Sequence, residues 1–86
     1  MAKITKAEMP ALAEQIVKCL GGKENVARIN HCATRLRVNP VDMEKVDKDG
    51  LKRLHGVIGI DSSKAELQII VGAIIEDLYL EVEKIT

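Results

Sequence analysis

Residues 28–38 read Arg-Ile-Asn-His-Cys-Ala-Thr-Arg-Leu-Arg-Val, and polar and apolar side chains alternate along both arms of the stretch. A period of two is strand spacing, so Arg28, Asn30 and Cys32 take one side of a first strand and Ile29 and His31 the other. On the second arm Arg35 and Arg37 share one side, while Leu36 and Val38 share the opposite one. If the chain reverses around Ala33 and Thr34, Cys32 faces Arg35, Asn30 faces Arg37 and Ile29 faces Val38. The apolar sides then agree, which supports the register. Ala33 and Thr34 suit a two-residue primed turn poorly, because such a turn needs positive backbone angles. The expectation is a wider loop of the same parity, with Cys32 at or near an exposed tip.

Upstream, Pro10 suits a first helical turn, and Leu12, Ile16 and Leu20 follow at i, i+4, i+8 with Ala13 and Val17 on the same stripe. This predicts a helix over 10–20, closed by Gly21 and Gly22 in the left-handed cap. A phosphate cradle at that glycine pair is the weaker reading, since no Lys-Ser or Lys-Thr follows. Downstream, Asp47 can cap a short helix carrying Leu51 and Leu54, with Gly56 closing it. Residues 57–60 are apolar, 61–64 turn-like and 67–71 strongly strand-like, which makes a second hairpin. From Ala73 onward Ile75, Leu78, Val82 and Ile85 return to helical spacing, with Glu76, Asp77, Glu81 and Glu83 available for the wet face.

The order helix, strand, strand, helix, strand, strand, helix predicts an α+β fold. Two hairpins favour a four-stranded, mostly antiparallel sheet with three helices packed on one face and the other face open. The 86 residues fit one domain, with residues 1–8 expected to be a loosely ordered N-terminus. The composition is 47% hydrophobic and 30% charged, as in globular soluble domains. Thirteen basic residues balance thirteen acidic ones and Tyr79 is the only aromatic, so the chain lacks the basic footprint and stacking platform of a nucleic-acid binder. No apolar run approaches a membrane span and residues 1–10 carry no signal-peptide core, which predicts a cytoplasmic domain with Cys19 and Cys32 as free thiols.

Cys32 opposite two arginines has a definite chemistry. A nearby guanidinium favours the thiolate, and the planar arginine fork matches phosphate oxygens better than a point charge does. Phosphoryl transfer mainly requires positioning and charge neutralisation, which Cys32 with Arg35 and Arg37 can offer. The plainer alternative is a buried structural cysteine beside a solvated strand face.

The stretch Gly21-Gly22-Lys23-Glu24-Asn25, then His31-Cys32-Ala33-Thr34-Arg35-Leu36-Arg37, Val46-Asp47, Gly56-Val57-Ile58-Gly59 and Leu67-Gln68-Ile69-Ile70-Val71-Gly72 resembles the enzyme IIB domain of bacterial sugar phosphotransferase systems, in the glucose, sucrose and β-glucoside group. The likeness runs from about Met9 to the end, and its Cys-x-Thr-Arg-Leu-Arg core is specific. The resemblance implies an antiparallel sheet with helices on one face and a protein-phosphohistidine–sugar phosphotransferase activity without a cofactor. It implies that Cys32 takes phosphate from a phosphohistidine on enzyme IIA and gives it to a sugar held by membrane enzyme IIC. It also implies that Arg35 and Arg37 are phosphate-site arginines, with Thr34 and Gln68 as polar contributors. The domain would then work at the inner face of the cell membrane, through enzyme IIC. The IIC segment lies outside these residues, which are then a domain cut from a longer chain or a subunit encoded separately.

Three other signals lead elsewhere. His31 beside Cys32 looks like a nucleophile and its base, but neighbouring strand residues point to opposite faces. A metal site from Cys19, His31, Cys32 and His55 lacks any recognised ligand spacing. A phosphatase using Cys32 would need a glycine-rich loop of backbone donors, which Ala33-Thr34 does not offer.

Overall fold

The computed structural model describes residues 4–86. Helix α1 (Met9–Cys19) is followed by strands β1 (Val26–His31) and β2 (Arg35–Pro40), then helix α2 (Lys48–Arg53). Strands β3 (Gly59–Ser62) and β4 (Leu67–Ile70) and helix α3 (Ile75–Ile85) complete the order expected from the periodicities. The fold is α+β. The four strands form one sheet in the order β1-β2-β4-β3, and every neighbouring pair is antiparallel. The hairpins therefore join through β2 and β4, which places the second strand of each at the centre.

Alternation decides which face each residue serves. Leu36 and Val38 of β2 and Leu67 and Ile69 of β4 are fully buried against Leu12, Ile16 and Leu20 at α1 and Leu78 and Val82 of α3. Their neighbours Arg35, Arg37 and Gln68 point to the opposite, partly exposed face, which no helix among the described residues covers. The central strands thus carry apolar residues toward the helices and polar ones toward the open side.

Local chemistry sets the element ends. The N–H of Gly22 reaches the carbonyl of Val17 at 2.9 Å and that of Gly21 reaches Lys18 at 3.1 Å, the paired bonds of a Schellman cap. Gly21 and Gly22 have φ of +102° and +91°, a region that side-chain-bearing residues rarely adopt. The glycine pair is thus a helix stop. Asn25 completes the corner: its Nδ2 donates to the carbonyls of Leu20 (2.6 Å) and Asp42 (2.9 Å), and its Oδ1 accepts from the Asp42 N–H (2.8 Å). It is the one buried polar residue among those described, and all its bonds tie the end of α1 to the exit of β2. Asp47 caps α2 as expected, its Oδ1 accepting from the Gly50 N–H at 2.9 Å.

Two details differ from the sequence reading. Within the stretch 1–8, expected to be loosely held, Lys6–Glu8 form a 3-10 turn, Glu8 accepts from the Thr5 N–H and hydroxyl, and Ile4 packs on the core. Residues 1–3 lie outside the described residues. Asp61, expected in a turn over 61–64, belongs to β3 and pairs with Gln68; the reversal falls later, where the Ser63 N–H donates to the Glu66 carbonyl at 2.9 Å. A period-two signal of only four residues is too short to locate a hairpin tip.

Candidate functional site

The β1–β2 hairpin takes the register expected for it, with Ile29 opposite Val38, Asn30 opposite Arg37 and His31 opposite Leu36. The Cys32 N–H donates to the Arg35 carbonyl at 3.0 Å, and residues 32–34 form the loop between the strands. Ala33 and Thr34 keep negative φ, so a primed turn is absent here, in line with the wider loop expected. A second segment secures this loop: the N–H groups of Val71 and Gly72 both donate to the Thr34 carbonyl at 3.0 Å. Gly72 holds φ of +72° to make that double contact.

The Thr34 carbonyl shares its planar peptide unit with the Arg35 N–H, so tying it back fixes that donor, and the Thr34 N–H belongs to the same short loop as the Cys32 thiol. The Thr34 N–H is the leading reason the thiol titrates below its ordinary value; the Arg35 N–H and the Arg37 guanidinium, by hydrogen bond and by charge, lower it further. Partial burial opposes them without prevailing. The other cysteine behaves in the opposite way. Cys19, at the end of α1, is raised by burial and by the negative charge of Asp47 beside it. The two thiols are therefore shifted in opposite directions.

The two arginines divide their work. Arg37 is the one whose side chain acts on the sulfur, and its Nη1 also lies 3.3 Å from Glu66 Oε1. The Arg35 side chain turns to β4 and β3 instead, donating from Nη1 to Gln68 Oε1 at 2.7 Å and lying 3.7 Å from Asp61 Oδ2. Arg35 meets Cys32 through its backbone. Gln68 Nε2 in turn donates to Glu66 Oε1 at 2.8 Å. Both arginines thus reach diagonally along β4, since Arg35 pairs with Ile70 but bonds Gln68, and Arg37 pairs with Gln68 but bonds Glu66.

His31 faces the helices. Its ring lies on Tyr79 of α3, with centroids 4.4 Å apart at 48°, and its Nδ1 is 3.1 Å from the Cys32 carbonyl oxygen. The imidazole is thus spent on packing and on the loop backbone rather than on the sulfur.

The structure brings Cys32, Thr34, Arg35, Arg37 and Gln68 together at one end of the open sheet face. It adds features that sequence reasoning passed over: the backbone donors of Thr34 and Arg35, and the carboxylates of Glu66 and Asp61. The loop has no glycine, in line with the reading that set a glycine-rich phosphatase loop aside, yet the Thr34 and Arg35 N–H groups still lower the Cys32 thiol. Glu66 had a signal in the sequence, since it stands two residues before Gln68 and extends the same face.

A family model described as phosphotransferase system, EIIB, matches residues 14–47, the window that contains Cys32 and both arginines. A crystal structure of one domain of the phosphotransferase system IIabc component from Clostridium difficile matches with a TM-score of 0.86 at 33% identity, covering 94% of this chain and 85% of that one. The chain belongs to the EIIB family. Among curated relatives, the sucrose-specific EIIBC component of Vibrio alginolyticus is 40% identical over 78 residues, 90% of this EIIB chain and 16% of its own length. The β-glucoside-specific EIIBCA component of Bacillus subtilis is 43% identical over 68 residues, 79% of this chain and 11% of its own. This EIIB chain therefore spans a sixth or less of the length of these curated relatives.

Proposed function

We propose that this EIIB chain is a phosphoryl carrier of a sugar phosphotransferase system, in which Cys32 takes phosphate from a phosphohistidine on enzyme IIA and passes it to a sugar held by enzyme IIC. The observation that carries this reading is the convergence of two backbone N–H groups and the Arg37 guanidinium on one accessible thiol, which favours the thiolate. In the accepting step the thiolate attacks phosphorus; the S–P bond forms as the N–P bond breaks and its electron pair returns to the imidazole. In the donating step a sugar hydroxyl oxygen attacks the same phosphorus. The O–P bond forms, the S–P bond breaks, the pair returns to sulfur as thiolate, and the hydroxyl proton passes to solvent.

The donors that favour the thiolate also suit phosphoryl oxygens, so one set of groups serves both the empty and the loaded site. Arg37 acts directly. Arg35 is oriented by Gln68 and Asp61, and Thr34 contributes its N–H. The names of the relatives combine B with C, or with C and A, components, which supports IIC and IIA as partners. The relatives' names range over sucrose, β-glucoside, trehalose and N-acetylmuramic acid systems, and the reading accordingly takes the acceptor as a sugar without narrowing it. No helix among the described residues is long and apolar enough to cross a membrane; attachment to the inner membrane face would be through IIC.

Incubation with phosphorylated IIA followed by intact-mass measurement tests the reading. One added phosphoryl group is expected, lost in Cys32→Ser and retained in Cys19→Ser. Labelling that survives Cys32→Ser would overturn it.

A further inference from the structure

Glu66 immediately precedes β4 and is the carboxylate on which the arginine network closes. Its backbone is fixed by the hairpin turn, where the Ser63 N–H donates to its carbonyl at 2.9 Å, and the turn is anchored to β2 by Asn39 Nδ2 donating to the Ala65 carbonyl at 2.9 Å. One oxygen, Oε1, accepts from both Arg37 Nη1 (3.3 Å) and Gln68 Nε2 (2.8 Å). The Gln68 amide is oriented by its neighbours, because a guanidinium can only donate and a carboxylate only accept. Its oxygen therefore faces Arg35 and its nitrogen faces Glu66, making it a one-way link from Glu66 to the second arginine.

We infer that Glu66 is a positioning residue of the phosphoryl site, holding Arg37 directly and Arg35 through Gln68 as an internal anion that the phosphoryl group on Cys32 displaces. The inference rests on the phosphoryl-carrier reading for the identity of the displacing anion. A phosphoryl group carries about −1.5 to −2 charge and three acceptor oxygens, more than a carboxylate offers, so it draws the guanidinium away while it is bound. When it leaves, Glu66 takes the arginine back. The site can then grip phosphate without holding it permanently, which a carrier requires.

The other charged groups of this face do not duplicate the role. Arg28 of β1 is exposed, and Asp61 of β3 is 70% exposed and 3.7 Å from Arg35, so water screens it. Glu66 is 30% exposed and directly hydrogen-bonded to Arg37, the guanidinium that acts on the thiol.

The test uses the full chain and first omits phosphate. Alkylation of Cys32 by iodoacetamide is followed against pH for wild type, Glu66→Gln, Arg37→Gln and the double variant, in a Cys19→Ser background. Removing the Glu66 charge leaves the Arg37 field unopposed, so Glu66→Gln should react roughly twofold to fivefold faster near neutral pH, with its profile displaced to lower pH. With Arg37→Gln present the gain should vanish, because the effect passes through that side chain. An unchanged profile in Glu66→Gln, or a gain that persists without Arg37, overturns the inference. A second measurement, with phosphorylated IIA and membranes carrying IIC, should show Glu66→Gln retaining phosphate longer than wild type. Wild type that takes no phosphate would defeat the carrier reading while leaving the alkylation comparison to decide the role of Glu66.

Discussion

Replacing Asn25 with alanine removes three hydrogen bonds at a buried corner: two donated to the Leu20 and Asp42 carbonyls and one accepted from the Asp42 N–H. A net hydrogen bond contributes about 1 kcal/mol, and the partners left behind are largely shielded from water, so the expected loss is about 3 kcal/mol. A chain of 86 residues has a total stability of roughly 4–13 kcal/mol, so this single change removes roughly a fifth to three quarters of it. In urea, with a slope of about 1–1.5 kcal/mol per molar, the midpoint should fall by roughly 2–3 M. Asn25→Asp is the sharper control, because it keeps the shape and the acceptor but turns the two-donor group toward two carbonyls as an oxygen. Burial among those oxygens raises the folded-state pKa of the new carboxyl above its unfolded value of about 3.9. The protonated form is therefore tolerated best below about pH 4, and stability relative to wild type should fall as pH rises through the folded value. Urea titrations of the three proteins between pH 4 and 7.5 read this out. A loss below about 1 kcal/mol for Asn25→Ala, or an Asn25→Asp difference that does not grow with pH, would refute the role given to this corner.

Further outcomes follow from the site. Cys32 should alkylate faster than Cys19 at neutral pH, and the preference should narrow toward high pH as the raised Cys19 thiol ionises; mapping the labelled peptide at each pH checks it. Arg37→Gln should slow Cys32 alkylation near pH 7 severalfold while Arg35→Gln leaves it within about twofold, because only the Arg37 side chain acts on the sulfur; equal effects would count against that division. Arg35→Lys and Arg37→Lys keep the charge but lose the fork, so phosphate acceptance from IIA should persist while donation to sugar falls by up to about 10²-fold in at least one of them. Equal losses in the two half-reactions would remove the geometric role. Gly72→Ala forces a side chain into positive φ and should cost about 1–2 kcal/mol in urea unfolding, with slower Cys32 alkylation as the Thr34 carbonyl loses its anchor.

The open-face residues show how far local pattern reaches. Alternation in residues 28–38 placed Cys32, Arg35 and Arg37 on one side and matched Ile29 to Val38, because a period of two leaves only one way to bury the apolar set. Helical spacing located α1, α2 and α3 to within a residue or two at each end, and the Gly21-Gly22 stop was legible because few other residues adopt that backbone. These are properties of neighbours in the chain, and the chain itself states them.

What the chain does not state is which strand lies beside which. The β2–β4 pairing brings Glu66 and Gln68 to arginines about thirty residues away, and β3 brings Asp61, yet a polar residue at a strand position declares its face and not its partner. The direction of a backbone N–H is equally silent in the sequence. Val71 and Gly72, almost forty residues later, hold the Thr34 carbonyl and so fix the peptide unit whose other end is the Arg35 N–H, one of the groups that lowers the Cys32 thiol. Asn25 reads as an ordinary loop residue until the end of α1 and the exit of β2 close around it. The sequence by itself determined the elements, their faces and the candidate nucleophile; the tertiary structure decided which groups surround that thiol. Strand order and loop anchoring depend on packing the whole core at once, and no local period records that.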